Sequence, residues 1–305
     1  MIDLLLPFFC LASGISANKL IYMQIGPLLF TAVRLLISGL ILTSILSWRG
    51  GRTALYDLGK RIYQDLPYLL IITCLTTLIQ SLLKAYALAN TLSSKVALIG
   101  SLDPFITALI CYIFWQQKLR WQQWLGIGIG FIGSTILILG KTDSLYPDQL
   151  LGMISYAEIA ALASIIMARL GWMQIQKLLK HNRYTSEEIN AITMTLGGLG
   201  CLIVARSFEP LSWCQTITWH WQLLALCIYT ILVGNLLGYN LYARALKRYS
   251  SPLIAIIGLT LPIQVYLFGV LFIGEPLYGN FVIALLCISV ALVLFYSHEE
   301  TLTMS

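Results

Sequence analysis

The sequence has 305 residues, of which 58% are hydrophobic and 10% are charged, and its formal net charge is +6. Because a soluble domain carries about 25% charged residues, this composition excludes a disordered chain, a coiled coil and an ordinary nucleic-acid-binding protein, and it argues against a soluble globule. A helix that spans a bilayer needs about 20 apolar residues, so the length leaves room for about ten such helices but for no sizeable soluble domain.

Ten apolar stretches are long enough to cross a membrane. They cover residues 3–21, 27–47, 66–88, 91–115, 121–140, 150–171, 189–208, 221–243, 250–273 and 279–297. The two longer connections, 48–65 and 172–188, are polar and basic. No basic segment precedes the first stretch, which is typical of a retained helix rather than of a cleaved signal peptide. We therefore predict an all-α membrane protein with ten transmembrane helices.

The positions of lysine and arginine predict the orientation of the chain, because cytoplasmic loops of membrane proteins are enriched in both residues. When the N-terminus is placed in the cytoplasm, 13 of the 19 basic residues lie on inner loops or helix ends, Arg169 among them. Five lie on the outer side, and Arg34 lies within a helix. We predict that both termini are cytoplasmic, which in a bacterium means an integral protein of the inner membrane.

The second half of the sequence repeats part of the first at an offset of 158 residues. Residues 86–119 align with residues 244–277, and ten of the 34 pairs are identical. The most informative identical pairs are Ser93/Ser251, Gly100/Gly258 and Pro104/Pro262. The offset places helix 3 over helix 8, so each repeat holds five helices, within residues 1–148 and 149–305. Because five is odd, the second repeat is inverted in the membrane, an arrangement typical of alternating-access transporters with a central substrate site.

These features resemble a known family: each half resembles an EamA domain, and the whole chain resembles the drug/metabolite transporter superfamily. The resemblance rests on residues 86–88, 93–94, 104 and 118–119 in the first half and on residues 245–246, 250–252, 262 and 275–277 in the second. Arg34 matches an arginine that is common near the start of helix 2 in the family. Gln117 and Lys118 depart from the family, which usually has a glutamate there. The resemblance implies a transporter of amino acids, amines, nucleotide-linked metabolites or drugs.

Ionisable side chains inside the apolar stretches are candidates for a binding site, because charge is costly inside a bilayer. Asp103 is either a proton acceptor or a counter-ion for a cationic substrate, or it forms an ion pair with Arg34 or Lys95. Glu158, about two turns into helix 6, either binds a substrate amine or a proton or forms a structural salt bridge. In the first case Glu158→Gln should abolish transport without affecting folding. Arg34 and Lys84 are further candidates, although Arg34 also fits a structural role and Lys84 also fits a side chain that extends to the membrane surface.

Polar and aromatic residues near the middle of the predicted helices complete the candidate substrate-binding cavity. They are Asn18, Gln80, Asn235, Tyr239, Gln264 and Tyr266. Taken singly, each also fits ordinary packing between membrane helices. Pro104 and Pro262 occupy equivalent positions and interrupt the hydrogen bonding of helices 4 and 9. Paired breaks of this kind mark binding sites in transporters, and we predict that these kinked helices act as gates.

No motif indicates a cofactor, a metal site or a catalytic centre. The seven cysteines show no CxxC spacing, and the GxGxxG pattern at 128–133 lies in an apolar stretch without the preceding strand that a dinucleotide site requires. We predict a secondary transporter of a small organic metabolite, such as an amino acid or an S-adenosylmethionine-like zwitterion, and no enzyme. The predicted partners are this substrate and the lipid bilayer, with the oligomeric state open. The alternatives are an intramembrane lipid-modifying enzyme and a non-transporting membrane scaffold.

Overall fold

The computed structural model describes residues 2–22, 24–90, 96, 99–116, 119–141, 155–209, 220–268 and 280–296, and the regular structure in these ranges is helical throughout. The α-helices are α1 (Ile2–Tyr22), α2 (Pro27–Thr73), α3 (Gln80–Asn90), α4 (Asp103–Trp115), α5 (Trp121–Lys141), α6 (Tyr156–Lys180), α7 (Ser186–Phe208), α8 (Trp221–Tyr229), α9 (Asn240–Arg248), α10 (Ser251–Ile257), α11 (Thr260–Phe268) and α12 (Asn280–Tyr296). Two π-helical segments, π1 (Cys74–Ile79) and π2 (Thr230–Tyr239), join α2 to α3 and α8 to α9.

Seven of the described helical segments are long and apolar enough to cross a membrane. They are Leu4–Tyr22, Pro27–Gly51, Tyr56–Asn90, Tyr156–Lys180, Ser186–Phe208, Trp221–Arg248 and Ser251–Phe268. Two shorter apolar helices cover Asp103–Phe114 and Phe281–Leu294. The chain is therefore a multi-pass integral membrane protein of the all-α class, whereas the count of ten spanning helices stays a prediction.

The second helix extends much further than its apolar stretch. The sequence predicted a connection over 48–65, but helical structure continues on both sides of a kink at Gly51, so that α2 is two helices joined there and reaches Thr73. Gly51 has φ 65° and ψ −173°, a conformation that only glycine adopts without steric cost. The prediction was wrong because hydropathy reports which residues contact lipid and not where a helix ends.

The connection over 172–188 was also predicted too long. The helix α6 continues to Lys180, and α7 begins at Ser186, so only residues 181–185 connect them. Lys177 and Lys180 lie in the last turn of α6, where positive charge interacts favourably with the negative end of the helix dipole. Basic residues here prolong a helix beyond its apolar part instead of forming a loop.

Helical irregularities recur at positions that the 158-residue offset relates. A turn at 101–102 precedes α4, and a turn at 258–259 separates α10 from α11. Pro104 is the second residue of α4, and Pro262 is the third residue of α11. The two π-helical segments also correspond, since Cys74–Ile79 shifted by the offset covers 232–237, inside π2. The inverted repeat and the division at 148/149 stay predictions that these paired features support.

Glycines bring several helices into close contact, as expected of packing inside a membrane. A Cβ atom added to Gly198 on α7 would lie 2.7 Å from the backbone nitrogen of Leu36 on α2. One added to Gly14 on α1 would lie 3.1 Å from Cα of Gly234 in π2. Around the GxGxxG pattern, Gly130 on α5 packs against Leu259 and α12. This pattern lies wholly inside the helix α5.

Candidate functional site

A buried ion pair connects α4 to α6. Arg169 donates from Nε and Nη2 to the two carboxylate oxygens of Asp103, so the pair is bidentate. Its Nη1 donates to the hydroxyl of Tyr242 on α9 at 2.7 Å. The exposed fractions of the Arg169 and Asp103 side chains are 11% and 15%. Among the described residues, the partner of Asp103 is Arg169 and not Arg34, one of the two that the sequence suggested; the other, Lys95, lies outside the described residues.

The sequence placed Arg169 on an inner loop, and the structure corrects this. Arg169 lies within α6, eleven residues before its end at Lys180, and is only 9% exposed. The count of basic residues by loop assigned it to the nearest connection, because the end of the apolar stretch at 171 hid the real length of α6. Trp172 and Tyr242 form an edge-to-face pair beside it, with ring centroids 4.9 Å apart.

Arg34 is fixed between α2 and π2. Its Nη1 donates to Oδ1 of Asn235 at 2.6 Å. The amide nitrogen of Asn235, which is fully buried, donates back to the hydroxyl of Ser38 at 3.1 Å and to the carbonyl oxygen of Arg34 at 3.3 Å. The sequence singled out both Arg34 and Asn235, and the structure brings them together. The Nε of Arg34 is buried and has no hydrogen-bond partner within the described part of the chain.

Lys84 on α3 lies near Arg34. It is half-buried and lies close enough to Arg34 and Asp103 to interact electrostatically with both. Among the residues that the structure describes, none forms a hydrogen bond or ion pair with its ammonium group. Its neighbour Gln80, predicted to share its face, accepts a hydrogen bond from Ser81 at 3.2 Å.

A small cavity with hydroxyl and amide groups on its wall lies between five helical segments. Its volume is about 10 Å³, which is room for about one water molecule. The wall consists of Leu35, Thr76, Thr77, Ser81, Trp172, Asn190, Thr193, Met194 and Tyr239. Ligand sites usually enclose about 300–1,000 Å³, so in this conformation the cavity is contracted far below the size of a metabolite. Trp172 and Tyr239 stack over it with ring centroids 5.9 Å apart and an interplanar angle of 14°.

The sequence missed most of this wall. Of the predicted site residues, only Tyr239 lines the cavity. Thr76 and Thr193 were overlooked because threonine is ordinary in membrane helices, where its hydroxyl bonds the carbonyl four residues back, as both do here to Ile72 and Ile189. A usable signal was the clustering of Thr76, Thr77 and Ser81 on adjacent turns of one helix.

Three other predicted residues lie elsewhere. Asn18 on α1 is 9% exposed, and its Oδ1 has no partner among the described residues. Gln264 on α11 donates to Oγ1 of Thr260 at 3.3 Å. Tyr266 on the same helix is 4% exposed and stacks on Phe281, with centroids 5.4 Å apart. The structure does not bring these three to the cavity wall.

The placement of Glu158 was wrong. It lies in the first turn of α6, as the third residue of the helix, and not two turns inside it. Its carboxylate accepts a hydrogen bond from the backbone nitrogen of Ser155 at 3.1 Å, which completes a capping box at this helix start. The apolar stretch began too early in the sequence, since residues 150–154 are apolar but precede α6.

Ion pairs close one end of the helix bundle. We call them the ion-pair cluster: Arg61, Asp65, Arg183, Tyr184, Glu187, Glu188 and Arg244. Arg61 pairs with Glu188 at 2.6 Å and lies over the Tyr184 ring, Arg183 pairs with Asp65 at 2.9 Å, and Arg244 pairs with Glu187. Tyr184 donates to Asp65 at 2.8 Å. Burial and this hydrogen bond raise the pKa of the Tyr184 phenol, so it remains a donor at neutral pH.

A single carboxylate joins two helices elsewhere. Glu209, directly after α7, accepts hydrogen bonds from the backbone nitrogens of Leu28 at 2.9 Å and Leu29 at 2.8 Å. These nitrogens are the free donors at the start of α2, where negative charge is favourable. Gly26 leaves room for this contact, since a Cβ there would lie 2.5 Å from Glu209.

Within the described residues, no group of three or more histidine, cysteine, aspartate or glutamate side chains could hold a metal ion. The arrangement offers hydroxyl groups, an amide and stacked rings around the contracted cavity, groups that can bind a small molecule.

Comparisons with known proteins identify a family and several relatives of this chain. The profile of the EamA-like transporter family matches residues 1–139 and 155–297. The chain is 24% identical over 273 residues to an S-adenosylmethionine/S-adenosylhomocysteine transporter of Chlamydia muridarum, covering 88% of this chain and 82% of the relative. It is 27% identical over 301 residues to CMP-sialic acid transporter 1 of Arabidopsis thaliana, covering 90% and 81%. A protein of known crystal structure shares the fold, with a TM-score of 0.75 at 15% identity over 95% of this chain and 94% of that one.

Proposed function

Since the chain belongs to the EamA-like transporter family, within the drug/metabolite transporter superfamily, we propose that it is a secondary transporter that moves a small organic metabolite by alternating access. The observation that carries the proposal is the contracted polar cavity between Trp172, Thr193 and Tyr239. Secondary transporters of this architecture bind substrate near the middle of the membrane, between two halves that move relative to each other.

The contacts at the two ends support this mechanism. The ion-pair cluster joins residues 61–65 to residues 183–188, and Glu209 joins the end of α7 to the start of α2. Both sets of contacts cross from the first predicted repeat to the second. These contacts favour a state between the outward-open and inward-open conformations.

For the cargo we propose an amino acid or a related zwitterion, including S-adenosylmethionine-like compounds. Two observations support this: the names of relatives, one of which is an S-adenosylmethionine/S-adenosylhomocysteine transporter, and the mixture of charged groups at Lys84, Arg34 and Asp103 inside the helix bundle. We also propose ten spanning helices in two inverted repeats, both termini in the cytoplasm, and gating at the interrupted helices that carry Pro104 and Pro262.

The test is transport by the purified protein in liposomes. Efflux and uptake are measured against a panel of metabolites, with and without a pH gradient. We expect accumulation or exchange of one class of compound. Release of modified lipid head groups without transport would instead indicate the enzyme alternative, and the absence of any movement by a folded, reconstituted protein would favour the scaffold.

A matched pair of threonine variants tests the cavity itself. Thr193 lines the cavity, while Thr135 on α5 does not, and both hydroxyls bond the carbonyl four residues back. Loss of one hydrogen bond costs about 1 kcal/mol, so Thr193→Val should raise the KM for transport about fivefold. Thr135→Val should leave the KM unchanged. Equal effects of the two variants would place the substrate elsewhere.

A further inference from the structure

The charges next to the cavity do not balance. Arg34, Lys84 and Arg169 are three cations on helices of the bundle, and among the described residues Asp103 is the acid that lies near Lys84 and Arg169. Both oxygens of Asp103 are already bonded to Arg169. Among the residues that the structure describes, Arg34 has only the neutral amide of Asn235 as a side-chain acceptor. Within the same residues, two positive charges therefore remain without an acid bonded to them.

Unused hydrogen-bond donors accompany this excess of charge. The Nε of Arg34 is buried without a partner within the described residues, on a residue that is 9% exposed. The ammonium of Lys84 has three donors, and no described residue accepts from it. An unpaired cation in a region shielded from water is costly, and an anion bound between the two side chains would remove that cost.

Neither cation lines the cavity already described, but each lies on the same helix as one of its wall residues, one or three positions away. Leu35, which follows Arg34, and Ser81, which precedes Lys84 by three residues on the same helix face, are part of its wall. We propose that an oxyanion of the cargo, a carboxylate or a phosphate, binds between Lys84 and Arg34, so that the protein carries organic acids or zwitterions and not simple cations. This inference rests on the proposed transport function and names the chemical group that the cavity selects. The guanidinium of Arg34 supplies planar donors that match such an oxyanion, and Lys84 supplies a point charge.

The test compares each compound that carries an oxyanion with its twin, an otherwise similar compound that lacks the oxyanion. The purified full-length protein is melted in the presence of standard L-amino acids and their amides, S-adenosylhomocysteine and its carboxamide, and ribonucleoside monophosphates and their nucleosides. We expect at least one oxyanion to raise the melting temperature while its twin does not. If only carboxylates raise the melting temperature, the bound oxyanion is a carboxylate. If only phosphates raise it, the bound oxyanion is a phosphate.

Substitutions at Lys84 give the matched variants. Because a hydrogen bond to a charged group is about twice as strong as a neutral one, Lys84→Met should weaken binding of that oxyanion at least about tenfold. Lys84→Arg should keep most of the affinity, and Lys180→Gln, which removes an exposed lysine at the end of α6, should change nothing. In the absence of ligand, Lys84→Met should melt at the same or a higher temperature, because it removes an uncompensated charge.

Several results would overturn the inference: stabilisation by the twins to the same extent, unchanged affinity in Lys84→Met, or no stabilisation by any oxyanion. Liposome transport separates this failure from that of the proposed function. If Lys84→Met still transports a neutral or cationic compound, the proposed transport function stands and the oxyanion site is refuted. If oxyanion binding depends on Lys84 but no compound is transported, the oxyanion site stands and the proposed transport function is refuted.

Discussion

The ion pair of Asp103 and Arg169 determines how much single substitutions at the centre of the bundle lower the free energy of unfolding. Removing one member of a buried ion pair leaves the other charge without compensation, at about 3–5 kcal/mol. We expect Arg169→Met to lower the free energy of unfolding by that amount, measured by denaturant or thermal unfolding in detergent. The hydroxyl of Tyr242 also loses its charged donor in this variant.

The double variant is the control for this prediction. Asp103→Leu with Arg169→Met removes both charges, and leucine is the residue at the repeat-related position Leu261. We expect the double variant to be considerably more stable than Arg169→Met alone, since two apolar side chains replace a buried pair at little net cost. Additive losses in the two single variants would contradict this account, because coupled residues give non-additive cycles.

For single residues, the sequence predicted which side chains are unusual better than it predicted their partners. Arg34 and Asn235 were singled out because polar groups are rare in apolar stretches, and they do bond each other. The partner of Asp103 was not found, because sequence spacing contains no information on which of several helices packs against α4. The role of Glu158 as a helix cap depends on where α6 starts, and helix starts are the least certain feature of a hydropathy pattern.

Glycines determine how closely α7 approaches α2. A Cβ on Gly198 would lie 2.7 Å from the backbone of Leu36, so the helices must separate to accept it. We expect Gly198→Ala to destabilise the protein by about 1–3 kcal/mol, the usual cost of overpacking. Gly128→Ala on α5 is the control, since its Cβ would meet nothing within 4 Å. Thermal unfolding should show that Gly128→Ala is neutral or slightly stabilising, as alanine favours a helix; an equal loss in both variants would contradict close packing.

Among the elements, the all-α class and most apolar segments could be predicted from the sequence, because hydropathy measures contact with lipid directly. The extension of α2 to Thr73 and the segments π1 and π2 could not. A π-helical turn differs from an α-helical turn only in its hydrogen bonds, and no composition or spacing rule marks it. Such turns occur often at functional sites, and here π1 contributes Thr76 and Thr77 to the cavity wall.

In the molecule as a whole, the two sets of end contacts should control which side opens. Glu188→Gln weakens the ion pair with Arg61 and should shift the protein toward conformations that are open at that end. The shift can be measured as a longer distance between spin labels at residues 64 and 182, both exposed, in a cysteine-free background. Glu158→Gln is the control, because glutamine also completes a capping box and lies outside the ion-pair cluster. An unchanged distance in Glu188→Gln would show that this cluster does not hold the end closed.

The position of the ion-pair cluster at the water-exposed end has a consequence for the environment in which the protein works. Dissolved ions screen charges over about 8 Å at physiological ionic strength and over about 3 Å at 1 M. Arg183 and Arg244 are 44% and 59% exposed in their side chains, whereas Arg169 is 11% exposed. Rising salt in one compartment therefore loosens these surface pairs while it leaves the pair at the centre intact. The balance between closed and open forms should therefore depend on the ionic strength of the solution that bathes that face.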